Sequence, residues 1–183
     1  VGQPVDVVFL GSCTNGRLVD MRQAAAVLRG RRISPEVRLE VVPSSRRQFE
    51  DAMADGTLLA LSAAGAVIGS SGCGPCLGRT GGVLAGQEIC LSTANRNYRG
   101  RMGSADASIF IGSPYVAAVA ALTGVIDDPR PYLEASDDEF DELVARRRSE
   151  RAGRGAASVR SGDRSRELIV AAARIGVAAE IDD

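Results

Sequence analysis

Histidine, lysine and tryptophan are all missing from this 183-residue chain. Without histidine there can be no Ser-His-Asp or Cys-His arrangement and no imidazole to complete a zinc site, and without lysine no Schiff base to a carbonyl substrate. All 22 basic residues are therefore arginine, the cation whose planar fork of donors matches a carboxylate. Aromatics are scarce at 4%, so the core has to be closed by Ala, Val, Leu and Ile. No apolar run approaches the roughly 20 residues a membrane helix needs, and no charged-then-apolar leader opens the chain, so a soluble, cytoplasmic protein with reduced thiols and no membrane partner is expected. A formal net charge of −1 argues against nucleic acid. Charge is uneven, with 12 arginines against 9 acids up to residue 126 and 10 against 14 beyond it. A mildly positive body suits a small anionic ligand better than a polyanion.

Short Val/Ile-rich runs alternate with Ala-rich helical stretches. Strands are expected at Val5–Leu10, Val37–Val42, Ala66–Ile68, Ile89–Ser92 and Ser108–Ile111. Leu18, Met21, Ala25 and Leu28 recur at helical spacing up to Gly30. Ser45 to Gln48 is a capping-box pattern opening a helix toward Gly56 with Phe49, Ala52 and Met53 on its inner face, and Ser113-Pro114 opens another that Gly124 stops. This predicts an α/β three-layer sandwich, a mostly parallel sheet with helices on both faces, followed by a poorly structured charged C-terminal extension. The division expected is a domain over 1–127, a flexible charged linker over 128–163 in which Phe140, Leu143 and Val144 suit a short helix, and a short helix with a possible strand over 164–183. A first residue that is Val, with a core strand almost at once, fits a piece of something longer.

Three polar motifs, at 11–17, 70–79 and 92–103, each follow a strand, and in a parallel sheet they should converge on one edge. The Cys73-Gly-Pro-Cys76 tetrapeptide by itself suits a thioredoxin-like redox dithiol or a metal site equally, since a helix start would lower a thiol pKa in either. Cys13, in "GSCTNGR", adds a third thiol at that edge. Three thiolates with no histidine fit an iron–sulfur cluster better than zinc, and three cysteine ligands leave one iron open as a Lewis acid. Cys90 lies inside the apolar run "EICLS" and reads as a buried, inert thiol. Arg96 and Arg101, in "STANRNYRGRMG", offer carboxylate forks, with Asn95 and Asn97 as neutral polar contacts.

"GSCTNGR", "GCGPCLG" and "STANRNYRGRMG", in this order, resemble the third domain of the aconitase superfamily over about residues 5–130, most closely the large subunit of 3-isopropylmalate dehydratases and homoaconitase-like relatives. The resemblance implies a four-iron four-sulfur (4Fe-4S) cluster on Cys13, Cys73 and Cys76, with Arg96 and Arg101 holding the carboxylates of a small hydroxy di- or tricarboxylic acid that is dehydrated and rehydrated from a 2-hydroxy to a 3-hydroxy acid. It also implies partners: missing N-terminal domains that bring acids and histidines, and a swivelling small subunit that brings a serine base. No catalytic base is expected in this chain. "GDRSRELIVAAARIGVAAEI" faintly echoes the swivelling domain, but Arg164 stands where its serine would be and Leu168 where its histidine would be. A thioredoxin-like module would leave Cys13 and the arginines unexplained; a catalytically silent fragment would need no cluster.

Overall fold

The computed structural model describes residues 1–96 and 98–158. Its centre is β2 (Val7–Gly11), in which every residue is buried. The other strands of the sheet are β3 (Arg38–Val42), β4 (Val67–Ile68), β5 (Ile89–Ser92) and β6 (Ser108–Ile111). They lie in the order β4-β3-β2-β5-β6, and every pairing is parallel. A separate antiparallel pair joins β1 (Gln3–Pro4) to β7 (Val125–Ile126).

Handedness decides what covers each face. The steps from β2 to β3 and from β3 to β4 move one way across the sheet, whereas those from β4 to β5 and from β5 to β6 move the other way. Because parallel crossovers are right-handed, the two directions pass over opposite faces. The first pair of crossovers carries α1 (Leu18–Leu28), α2 (Arg46–Ala54) and α3 (Thr57–Ala64). The chain returns from β6 through α4 (Pro114–Thr123) to the same face, against β2 and α1. Val8, Leu10, Leu39, Val41 and Leu91 point into this helical layer. The opposite face, with Val7, Phe9, Val42 and Cys90, packs against Cys76, Leu84, Ala94 and Met102. Helices were expected on both faces; the covering layer here is loop with one 3-10 turn, because the 69–88 and 93–107 crossovers are too rich in Gly, Ser and Asn to hold a longer helix.

Local sequence explains the helix ends. Ser45 accepts a hydrogen bond from the Gln48 amide at 3.3 Å, and Ser113 from the Val116 amide at 3.4 Å. The helix expected up to Gly56 ends at Ala54, and a second helix, not expected from the sequence, follows it. Asp55 accepts from the Thr57 amide at 2.9 Å and restarts the helix as α3. Met53, expected on the inner face of α2, is 57% exposed. α4 is buried along Val116–Thr123, which requires cover on its far side.

That cover comes from the segment expected to be a flexible linker. Over its described part it forms α5 (Arg130–Glu134) and α6 (Asp137–Ser158). Phe140 and Val144 are buried, Tyr132 meets Phe140 edge-on at 5.4 Å, and the Arg31 guanidinium lies 3.8 Å from the Phe140 ring centroid. Arginines supply what the apolar side chains lack. Arg147 pairs with the buried Asp127 carboxylate at 2.6 and 2.9 Å, Arg148 donates to the Leu122 carbonyl at 2.7 Å, and Arg151 donates to the carbonyls of Gly124, at 2.6 Å, and Val5. The bonds to Leu122 and Gly124 reach carbonyls at the C-terminal end of α4, which have no partners within that helix. The short helix expected over 164–183, with Arg164 and Leu168, lies outside the described residues.

Candidate functional site

In the order β4-β3-β2-β5-β6, the chain leaves β2 and β5 toward opposite sides of the sheet. Their shared carboxyl end is the topological switch point where open α/β sheets bind ligands. All three polar motifs leave the sheet at this edge.

At the end of β2, Gly11 has φ +132°, and a Cβ there would lie 2.0 Å from the Val42 carbonyl oxygen, so no side chain fits. Ser12 follows at φ +112° and 1% exposure, and its hydroxyl accepts from the Thr14 amide at 3.4 Å. This sharp bend leaves Cys13 exposed at the tip.

The second motif was expected to open a helix. It forms instead the 3-10 turn Gly74–Leu77, with Cys73 as its N-cap, so no long helix is present to lower a thiol pKa. With three residues per turn, positions i and i+3 eclipse, and the C-x-x-C spacing sets both thiols on one side. Cys73 is exposed and Cys76 is buried. The turn is pinned to the end of β3 by Gly72 donating to the Pro43 carbonyl at 3.0 Å. The Cys73 pKa is raised, first because its thiol shares a hydrogen bond with Cys13, then because ionising beside Cys13, and beside Cys76, would bring like charges together; Arg101 pulls the other way.

The third motif folds against the second. Gly78, at φ +69°, sits so close to the Arg101 backbone that a Cβ would lie 2.6 Å from that carbonyl oxygen. Leu84 and Gly103 form a bridge, with the Leu84 amide donating to Met102 and the Ser104 amide to Leu84, both at 2.9 Å. Arg101 donates to the Tyr98 hydroxyl at 3.1 Å and stands 5.6 Å from the Tyr98 ring centroid. Its pKa is raised, chiefly by the Tyr98 hydrogen bond, with a further contribution from a hydrogen bond to the Cys76 thiol. Arg101 Nε is buried and has no hydrogen-bond partner among the described residues. Asn95 is exposed, its Oδ1 3.4 Å from the Thr14 hydroxyl, which links the first and third motifs. Arg96 is exposed at the same edge and makes no hydrogen bond or ion pair among the described residues; Asn97 lies outside them.

Cys90 stands apart from this group. It is fully buried within β5, and burial pushes its thiol pKa far above the ordinary range. Thr93, Ser12 and Tyr98 are the structural parts that motif reading did not single out. Only Tyr98 carried a signal, an aromatic hydroxyl three residues before an arginine in a Gly-bearing turn.

Among the described residues, no three or more Cys, Asp, Glu or His side chains are gathered as ligands of one metal ion. Cysteines of a multi-iron cluster bind different irons and stand further apart than ligands of a single ion. The donor chemistry suits such a cluster: three thiols from two loops, Cys73 close enough to Cys13 to share a hydrogen bond and to feel Cys76, with the Arg101 guanidinium beside them.

The aconitase family (aconitate hydratase) profile matches residues 1–124. The chain belongs to the aconitase family. Over 133 residues it is 59% identical to the homoaconitase large subunit of Thermus thermophilus, covering 73% of this chain and 32% of that protein. It is 55% identical, over the same length and shares, to the 3-isopropylmalate dehydratase large subunit of Herpetosiphon aurantiacus. With the 3-isopropylmalate dehydratase large subunit 1 of Deinococcus radiodurans it shares 56% identity over 135 residues, 74% of this chain and 31% of that one. This aconitase-family chain thus spans about a third of the length of the curated relatives it matches.

Proposed function

We propose that this chain is the cluster-bearing and substrate-anchoring part of an iron–sulfur hydro-lyase that interconverts 2-hydroxy and 3-hydroxy acids such as 2- and 3-isopropylmalate in leucine biosynthesis. Cys13, Cys73 and Cys76 would hold a 4Fe-4S cluster. The observation that carries the reading is the gathering, at the switch point of the sheet, of the Cys13, Cys73 and Cys76 thiols with the Arg101 guanidinium beside Cys73 and Cys76. When bound, the cluster supplies a Lewis acid for the departing hydroxyl.

The chain's own residues bind and orient. Arg101 and Arg96 grip carboxylates, one held by neighbours and one without a partner among the described residues, and Asn95 adds a neutral contact from the same loop. The buried Cys76 anchors the cluster side of the site, while Cys13 and Cys73 leave it open to the surface. Leu77, Val83 and Tyr98, 43, 41 and 60% exposed, offer apolar surface near this opening for a covering partner. That partner is a small swivelling subunit bringing the base, beside the N-terminal domains absent from this chain. The relatives' naming as large subunits supports the small subunit. The Thermus thermophilus relative favours a second substrate, a homoaconitate-type tricarboxylic acid, at the same site. No described helix is long and apolar enough to cross a membrane, and a reduced three-thiol site suits a cytoplasmic setting.

Anaerobic reconstitution with iron and sulfide tests the reading. The broad visible absorption of a cluster is expected in wild type and lost on Ser substitution of Cys13, Cys73 or Cys76. A full cluster in Cys13→Ser would overturn the three-ligand site in favour of a dithiol.

A further inference from the structure

We infer that Tyr98 is a positioning residue that fixes which edge of the Arg101 guanidinium faces a substrate carboxylate; this rests on the reading of Arg101 as a carboxylate anchor. A guanidinium offers two forks, Nη1/Nη2 and Nε/Nη2, and the side chain can turn to present either. Here the choice is made. The Tyr98 hydroxyl accepts from Nη1 at 3.1 Å, and the ring, 5.6 Å from the guanidinium carbon, adds a cation–π contact. Nε is covered by the protein and the Cys76 thiol also bonds to the guanidinium, so with Nη1 taken by Tyr98 the Nη2 corner is the one left to a ligand among the described residues. Phenylalanine in its place would keep the ring and lose the hydrogen bond from Nη1.

The test compares Tyr98→Phe, Arg101→Lys and the double variant in the complete enzyme assembly, reading cluster absorption, KM and kcat with 3-isopropylmalate. Tyr98→Phe is expected to raise KM about three- to tenfold with kcat and absorption unchanged, the size of one lost hydrogen bond. The double variant is expected to be no worse than Arg101→Lys, because the tyrosine acts through the arginine. Wild-type KM in Tyr98→Phe beside an impaired Arg101→Lys would overturn the positioning role and leave the anchor standing. A silent Arg101→Lys would instead remove the anchor itself. Loss of cluster absorption in Tyr98→Phe would overturn the inference as well, since the tyrosine would then be holding the loop and not the fork.

Discussion

The Thr93 hydroxyl accepts a hydrogen bond from the Gly11 amide at 2.9 Å, tying the loop that carries Cys13 to the loop that carries Asn95, Arg96 and Arg101. Thr93 is 4% exposed, and its own amide donates to the Phe9 carbonyl at 2.9 Å, so it closes the last gap between β2 and β5. Thr93→Val keeps the shape and leaves the Gly11 amide buried without a partner. A loss of about 1–3 kcal/mol in urea unfolding is expected, together with weaker cluster retention. An unchanged unfolding midpoint would mean that water or another group replaces the hydroxyl.

Arg96 and Arg101 test function apart from cluster assembly. Lysine keeps the charge and loses the fork. In the complete assembly each Arg→Lys change is expected to leave the cluster spectrum intact and to lower kcat/KM by on the order of tenfold to a hundredfold. Because Arg101 is held by Tyr98 and Arg96 has no partner among the described residues, the larger loss is expected at Arg101. Steady-state kinetics of the two variants side by side decides the order.

Cys90 separates burial from ligation. Its thiol faces the same side of the sheet as Cys76 but sits inside β5 among Val7, Phe9 and Ile109. Cys90→Ala is expected to keep the full cluster absorption and lose only packing, on the order of 1 kcal/mol. Cluster loss in this variant, with the fold intact by circular dichroism, would make Cys90 a ligand.

Arg151 tests whether α6 belongs to the domain. Its guanidinium reaches the carbonyls of Val5 and Gly124 and pairs with Glu36 at 2.5 Å, so one side chain links α6 to the end of α4 and to the entry of the sheet. Arg151→Met keeps most of the stem and strands the Val5 carbonyl, while the Gly124 carbonyl keeps only the Val5 amide. A destabilisation of about 2–3 kcal/mol is expected, read from urea melts. An unaltered melt would mean that α6 only lies on the surface.

Asp55 gives a pH-dependent check on the turn between α2 and α3. Its carboxyl is held down to about 2, first by hydrogen bonds with the Thr57 side chain and backbone, then by Arg22. A lowered carboxyl pKa contributes stability that is complete above the ordinary value of 3.8 and is lost as pH falls toward about 2. The stability gap between wild type and Asp55→Ala is therefore expected to be full near neutral pH and to close as the pH approaches about 2. A gap that persists there would assign the effect to helix propensity.

Much of the layout follows from local rules, which is why it is legible before folding. The strands Ile89–Ser92 and Ser108–Ile111 and the helix from Pro114 to Thr123 have the bounds expected, because apolar period, a serine cap and a glycine stop act within a few residues of one another. The gathering of the three polar motifs on one edge follows from parallel strands and needs no coordinates either. Tertiary structure decided the rest. Composition made residues 128–158 look unable to pack, because α6 is held by arginine bonds to distant carbonyls and by a guanidinium on Phe140, partners invisible to hydrophobic period. The C-x-x-C segment became a 3-10 turn because it lies within a loop crossover over the second face of the sheet. The state of Arg101, with one nitrogen on Tyr98 and another buried without a partner, depends on Gly78 allowing the two loops to touch. Sequence sets what a residue can bond; the crossing of chain segments far apart in sequence sets what it meets.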